Sequence, residues 1–118
     1  MIKNLIDETT YFIDKTCDLI DEQHEFSQIK VHLSQIKSQL KHIGSDKPIK
    51  DFKSLLLYYK EREITVNSKV ISHYLTVIDF YIKTLMEQLI LNNDITDEDV
   101  NQHIVQLMNI SDFLNFIK

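Results

Sequence analysis

The 118-residue sequence predicts an all-α protein: an antiparallel four-helix bundle with a short extra C-terminal helix and an apolar tail. Three observations predict it. Apolar residues recur at alternating three- and four-residue intervals along most of the chain, the period of an amphipathic helix. One Gly and one Pro are too few for the tight turns an all-β fold needs. A chain of this length also buries roughly two-thirds of its unfolded surface, so residues 1–118 are expected to form a single helical domain.

The first segment carries paired apolar positions, Leu5/Ile6, Phe12/Ile13 and Leu19/Ile20, with Ile2, Thr9 and Thr16 between them. From Phe26 the pattern narrows to Phe26, Ile29, Leu33, Ile36, Leu40 and Ile43, one seam that suits an internal core or a dimer equally. The two apolar centres lie about 145° apart at 100° per residue, so a break is expected near Asp21–Glu25. A single long helix that changes partners midway is the alternative. The second helix, about 25–43, stops where Gly44 supplies a left-handed cap, and Pro48 opens a third helix over about 48–62. In that helix Leu57 and Tyr58 widen the face made by Phe52, Leu55, Leu56 and Tyr59, which predicts enclosure on more than one side. Asn67 is the expected N-cap of a fourth helix, about 68–91. Its polar positions, Ser72/His73, Thr76, Asp79, Lys83 and Glu87, form a narrow ridge, which predicts a central helix covered on its other sides. Thr96 with Asp99 makes a capping box and Ile95 with Val100 a hydrophobic staple, opening a fifth helix over about 97–109 through Val100, Ile104, Leu107 and Met108. Ile110, Phe113, Leu114, Phe116 and Ile117 then crowd the tail. Such a tail folds back on the bundle or is kept for a partner.

Charge is segmented beneath a net −5. Residues 1–26 carry two lysines against seven acids, residues 27–60 seven lysines against two acids, and residues 61–118 four basic against nine acidic residues. Two readings fit: neighbouring helices complement each other, or the basic middle docks an acidic partner or an anionic membrane surface. Lys30, Lys37 and Lys41 stripe one face of the second helix and form that candidate basic surface. Cys17 is the lone cysteine, which fits a reducing compartment and a packing thiol. No N-terminal apolar run with a cleavage site predicts a signal peptide, and Asp79, Lys83 and Glu87 interrupt the most apolar stretch, so no membrane span is expected. The absence of Ala and the single Arg62 suggest an AT-rich coding sequence, bacterial or from a mobile element, so a mobile-element regulatory protein is a further alternative.

Chemistry is sparse. Asp21/His24 and Asp99/His103 have helical ligand spacing, yet a di-metal bundle needs two Glu-x-x-His units and two further Glu. Cys17 has no identifiable base, and one Gly builds neither a nucleophile elbow nor a phosphate loop. The sequence therefore predicts no catalytic residues, no metal and no cofactor. Nucleic-acid binding through the basic middle is the alternative to protein binding, although base reading leans on Arg.

Three stretches carry a resemblance. They are Leu55-Leu56-Leu57-Tyr58-Tyr59 after the Gly44 turn; Lys60-Glu61-Arg62-Glu63-Ile64 leading into Asn67-Ser68-Lys69-Val70-Ile71-Ser72-His73-Tyr74; and Asn92-Asn93-Asp94-Ile95-Thr96-Asp97-Glu98. From Phe26 onward the chain resembles the immunity proteins of class IIa (pediocin-like) bacteriocins, of the carnobacteriocin B2 and enterocin A type. Val66-Asn67 stands where that family usually has a proline. The resemblance implies a cytoplasmic, non-catalytic binder, peripheral at the inner face of the membrane, that engages the mannose phosphotransferase permease with bound bacteriocin. It also implies that the C-terminal half selects the toxin. On that reading the partner-binding residues are Asn92, Asp94 and Asp97 in the acidic turn and Ile110, Phe113, Leu114 and Phe116 in the tail. Truncation after Asn109 is then expected to abolish protection while the helices still form.

Overall fold

A computed structural model describes residues 2–23, 26–45, 47, 50–92 and 98–118. Among these described residues five helices follow in order: α1 (Ile2–Gln23), α2 (Ser27–Leu40), α3 (Lys53–Arg62), α4 (Lys69–Asn92) and α5 (Glu98–Ile117). Among the described residues there is no strand, and no helix is long and apolar enough to cross a membrane.

α1 and α2 are two helices, not one. α1 buries Ile13 and Ile20 with Thr9 and Thr16, and each threonine hydroxyl donates to the carbonyl four residues back, Leu5 at 2.6 Å and Phe12 at 2.7 Å. These bonds satisfy the buried hydroxyls within their own helix. α2 buries Ile29, Leu33, Ile36 and Leu40, so the narrow seam is filled within one chain. His42 and Ile43 donate to carbonyls three residues back, a tightened last turn that ends α2 before the expected residue 43. Gly44 follows at φ 82°, the left-handed position its spacing predicts.

α3 begins later than expected. Pro48 lies outside the described residues, and Asp51 sets the start by accepting the Lys53 N–H on Oδ1 at 2.9 Å. The helix ends at Glu63, a left-handed residue at φ 53°, where the Ile64 N–H reaches back to the Tyr59 carbonyl at 3.2 Å. That closure recovers an orphan carbonyl without a glycine. Leu57 is 49% exposed, which corrects the expected enclosure on more than one side. Ser68, not Asn67, caps α4: its Oγ accepts the Ile71 N–H at 3.4 Å.

α5 is a single helix of 20 residues, which corrects the expected short helix and separate tail. Leu107, Ile110, Phe113, Leu114 and Ile117 are all buried. Their spacing continues one helical face to the last turn. Val66 donates its N–H to the Ile117 carbonyl at 2.5 Å, tying that turn to the α3–α4 connection.

The principal packing runs α2–α1–α4–α5–α3. Phe12 of α1 stacks on Tyr81 of α4, with ring centroids 5.4 Å apart. Across the other side, Tyr59 of α3 meets Phe113 of α5 edge-on at 5.0 Å, and His32 of α2 meets Tyr59 at 5.3 Å. α4 packs on α1 and α5, but it is not covered on all its apolar sides. Asp79, expected on the polar ridge, is buried at 4% exposure, while Phe80 is 65% exposed.

Candidate functional site

Two lysines of the stripe, Lys30 and Lys37, pair with acid on α1 while remaining partly exposed. Lys30 Nζ lies 2.6 Å from Asp21 Oδ1 and Lys37 Nζ 2.7 Å from Asp14 Oδ1, so α2 pairs with α1 across their interface. The hydrogen bond that each lysine donates to its aspartate holds it above its ordinary range. Both ammonium groups therefore stay charged through neutral pH. The helix-complementing reading of the charge segments accounts for these two residues; Lys41 lies exposed beyond the end of α2.

The proposed partner residues separate. Asn92 is exposed and donates from Nδ2 to the Gln88 carbonyl at 2.9 Å, fastening the last turn of α4. Asp94 and Asp97 lie outside the described residues, as do His24, Ile95 and Thr96. Ile110, Phe113 and Leu114 belong to the core and Phe116 is half-buried against it. As a docking surface the tail is thus corrected: its side chains are spent on α1–α5 packing.

Among the described residues no three His, Cys, Asp or Glu side chains gather as metal ligands. His103 is buried and Asp99 exposed. Cys17 is buried, with Sγ 4.0 Å from Ser34 Oγ, and burial pushes its thiol above the ordinary range. Less thiolate and less access both slow alkylation. Iodoacetamide at pH 8 is expected to modify the native protein at least about tenfold more slowly than the urea-unfolded chain. Equal rates would place Cys17 at the surface.

Two features escaped the sequence. The first is apolar surface on the outer side of the C-terminal half. On α4, Phe80 (65%) and Leu91 (76%) are exposed, with Val70 and Ile90, and on α5 Val105 and Met108. Phe80 is two residues from both Ile78 and Ile82, which puts it about 160° from either around the helix. That offset was the available signal. Met108, expected on the inner face with Leu107, is exposed: it stands about 100° from Leu107 and about 160° from Ile110 around the helix.

The second is a cleft of about 380 Å³ between α2 and the start of α3. Its wall carries His32, Lys50, Leu55 and Tyr58, and Phe52 is buried below. The Tyr59 hydroxyl is hydrogen-bonded to His32 Nδ1, and burial pushes that phenol up to about 12. Burial, then the Lys50 ammonium, hold the His32 imidazole below its ordinary value. Gln28 Nε2 donates to the Tyr58 hydroxyl at 2.9 Å, and the Arg62 guanidinium sits 3.8 Å over the Tyr58 ring centroid.

Comparison of the chain with models of protein families, with curated proteins and with solved structures finds no match.

Proposed function

We propose that this chain is a non-catalytic immunity protein of the class IIa bacteriocin type, acting in the cytoplasm by binding protein at the inner face of the membrane. Its helices are read as an antiparallel four-helix bundle with an additional C-terminal helix, a reading supported by the packing of α1 on α2 and α4 and of α4 on α5. The observation that carries the proposal is the outward apolar surface of α4, where Phe80 and Leu91 stand in solvent although the opposite face already fills the core. Large apolar side chains so placed serve as anchors when a partner desolvates them. The resemblance through Leu55–Tyr59 and Lys60–Tyr74 supplies the class of partner: the mannose phosphotransferase permease carrying a bound bacteriocin. Protection then follows from affinity for the toxin-loaded receptor exceeding affinity for the resting one. Nucleic-acid binding is less favoured, because Lys30 and Lys37 already have aspartate partners.

Expression in a bacteriocin-sensitive strain tests the proposal. The wild-type chain is expected to protect against at least one class IIa peptide and to co-purify with the permease only when that peptide is present. Phe80→Asp with Leu91→Asp is expected to lose protection by at least about tenfold in the tolerated dose, as for two hot-spot anchors. Because both side chains are largely exposed, the double variant should unfold at close to the wild-type temperature. Full protection by that variant, or no protection by the wild type against a panel of such peptides, overturns the reading.

A further inference from the structure

We infer that the cleft between α2 and the start of α3 is a binding site for a small organic carboxylate with an apolar body. The inference is independent of the immunity reading. At about 380 Å³ the cleft falls within the range of small-molecule sites, roughly 300–1,000 Å³. It opens in the basic third of the chain, residues 27–60.

The polar wall favours an anion. Lys50 lies close enough to His32 to disfavour its protonation, and among the described residues Lys50 has no carboxylate partner. Asp51, the acid beside it, already holds the Lys53 N–H on Oδ1. A ligand carboxylate in the cleft therefore meets an ammonium group with no salt-bridge partner among the described residues, and competes for it with the Asp51 carboxylate on the same wall. Charge-assisted hydrogen bonds of this kind are about twice as strong as neutral ones.

The His32–Tyr59 pair suits the same ligand. Lys50, Asp51 and Tyr58 share the cleft wall with the imidazole, and Tyr59 from α3 and Phe113 from α5 pack against its ring. Of these, Lys50 is the nearby cation, and a bound carboxylate offsets it. The imidazole can then take a second proton, with Nδ1–H donating to the Tyr59 hydroxyl and Nε2–H left for the ligand. Binding should therefore tighten as pH falls through the His32 transition and raise the pH of that transition.

The remaining wall is apolar and held in place. Leu55 contributes an aliphatic surface, and the Tyr58 ring is fixed from two sides by Gln28 and Arg62. A fixed ring accepts a flat or aliphatic body with little ordering cost.

Nuclear magnetic resonance titration with benzoate tests the site, with benzyl alcohol as the uncharged analogue and inorganic phosphate as the anion without a body. Benzoate is expected to give saturable shifts confined to residues 28–35 and 50–58, and to raise the His32 transition by about one pH unit. Lys50→Gln, a change on an exposed residue, is expected to weaken benzoate about tenfold or more with the amide spectrum otherwise preserved. Equal binding of benzyl alcohol would overturn the carboxylate, and equal binding of phosphate would overturn the apolar body. Absence of saturable shifts in the millimolar range, or unchanged affinity in Lys50→Gln, would remove the site itself.

Discussion

Removal of residues 110–118 is expected to abolish cooperative folding, and with it any activity, instead of leaving intact helices that merely lack a contact surface. The deletion takes Ile110, Phe113, Leu114 and Ile117 from the core. Burial of such side chains contributes about 1.5–3 kcal/mol each, so the four together account for roughly 6–12 kcal/mol. A whole domain is stable by only about 5–15 kcal/mol. The loss also strips Tyr59 and His32 of their edge-on contacts with Phe113, the Val66 N–H of its acceptor on Ile117, and Asp79 of both partners on α5. Residues 1–109 should keep part of their helical far-ultraviolet signal while losing fixed aromatic signals and binding a hydrophobic dye, the behaviour of a collapsed state without specific packing. Phe113→Ala in the full chain isolates one element of this loss and is expected to cost about 3–5 kcal/mol in urea unfolding. A sharp transition for residues 1–109 at a denaturant midpoint near the wild type would show that the last two turns of α5 are dispensable.

The misreading of that segment explains what the sequence could and could not convey. Helix existence was legible wherever one apolar face repeats, as from Phe26 to Leu40, and Gly44 marked its end by its own backbone preference. The α1–α2 break was legible too, although no Gly or Pro stands there, because one straight helix cannot aim two stripes 145° apart at one core. Residues 110–117 failed through density: five apolar positions in eight obscure the Ile110, Phe113, Leu114, Ile117 spacing that continues α5. The lysines on α2 read as an outward stripe because periodicity gives an angle but not the neighbour, and the neighbour is acidic α1. Nothing local pairs His32 with Tyr59, 27 residues away; that bond, and the cleft beside it, exist only once α2, α3 and α5 have packed. Asp79 was misplaced for a related reason. A charged residue in an apolar run reads as solvated until its buried partners are known.

Those partners make Asp79→Ala the most costly single polar substitution expected on α4. Its carboxylate accepts from Ser111 Oγ at 2.5 Å and from Asn115 Nδ2 at 3.1 Å, and Lys83 Nζ lies 3.0 Å away. Ser111 and Asp79 are both buried, whereas the Lys83 side chain is 55% exposed. The effects therefore divide unequally. Loss of the carboxylate leaves the Ser111 hydroxyl buried without its acceptor, a penalty of about 1–3 kcal/mol, and forfeits charge-assisted hydrogen bonds besides. About 2–4 kcal/mol of destabilisation is expected in urea unfolding. Lys83→Ala, which removes a half-exposed ammonium group but leaves the Asp79 carboxylate its two hydrogen bonds from α5, should cost less than Asp79→Ala. Asp79→Asn keeps an oxygen for Ser111 and should fall between the two. A double-mutant cycle of Asp79→Ala with Ser111→Ala separates pairing from packing: coupling of about 1–3 kcal/mol is expected for groups in direct contact. Replacing both by apolar residues, Asp79→Leu with Ser111→Ala, should recover much of the loss, since a buried polar cluster is costly chiefly when half of it remains. Coupling near zero would mean that the carboxylate finds solvent in the native state and that α4 and α5 are held by their apolar faces alone.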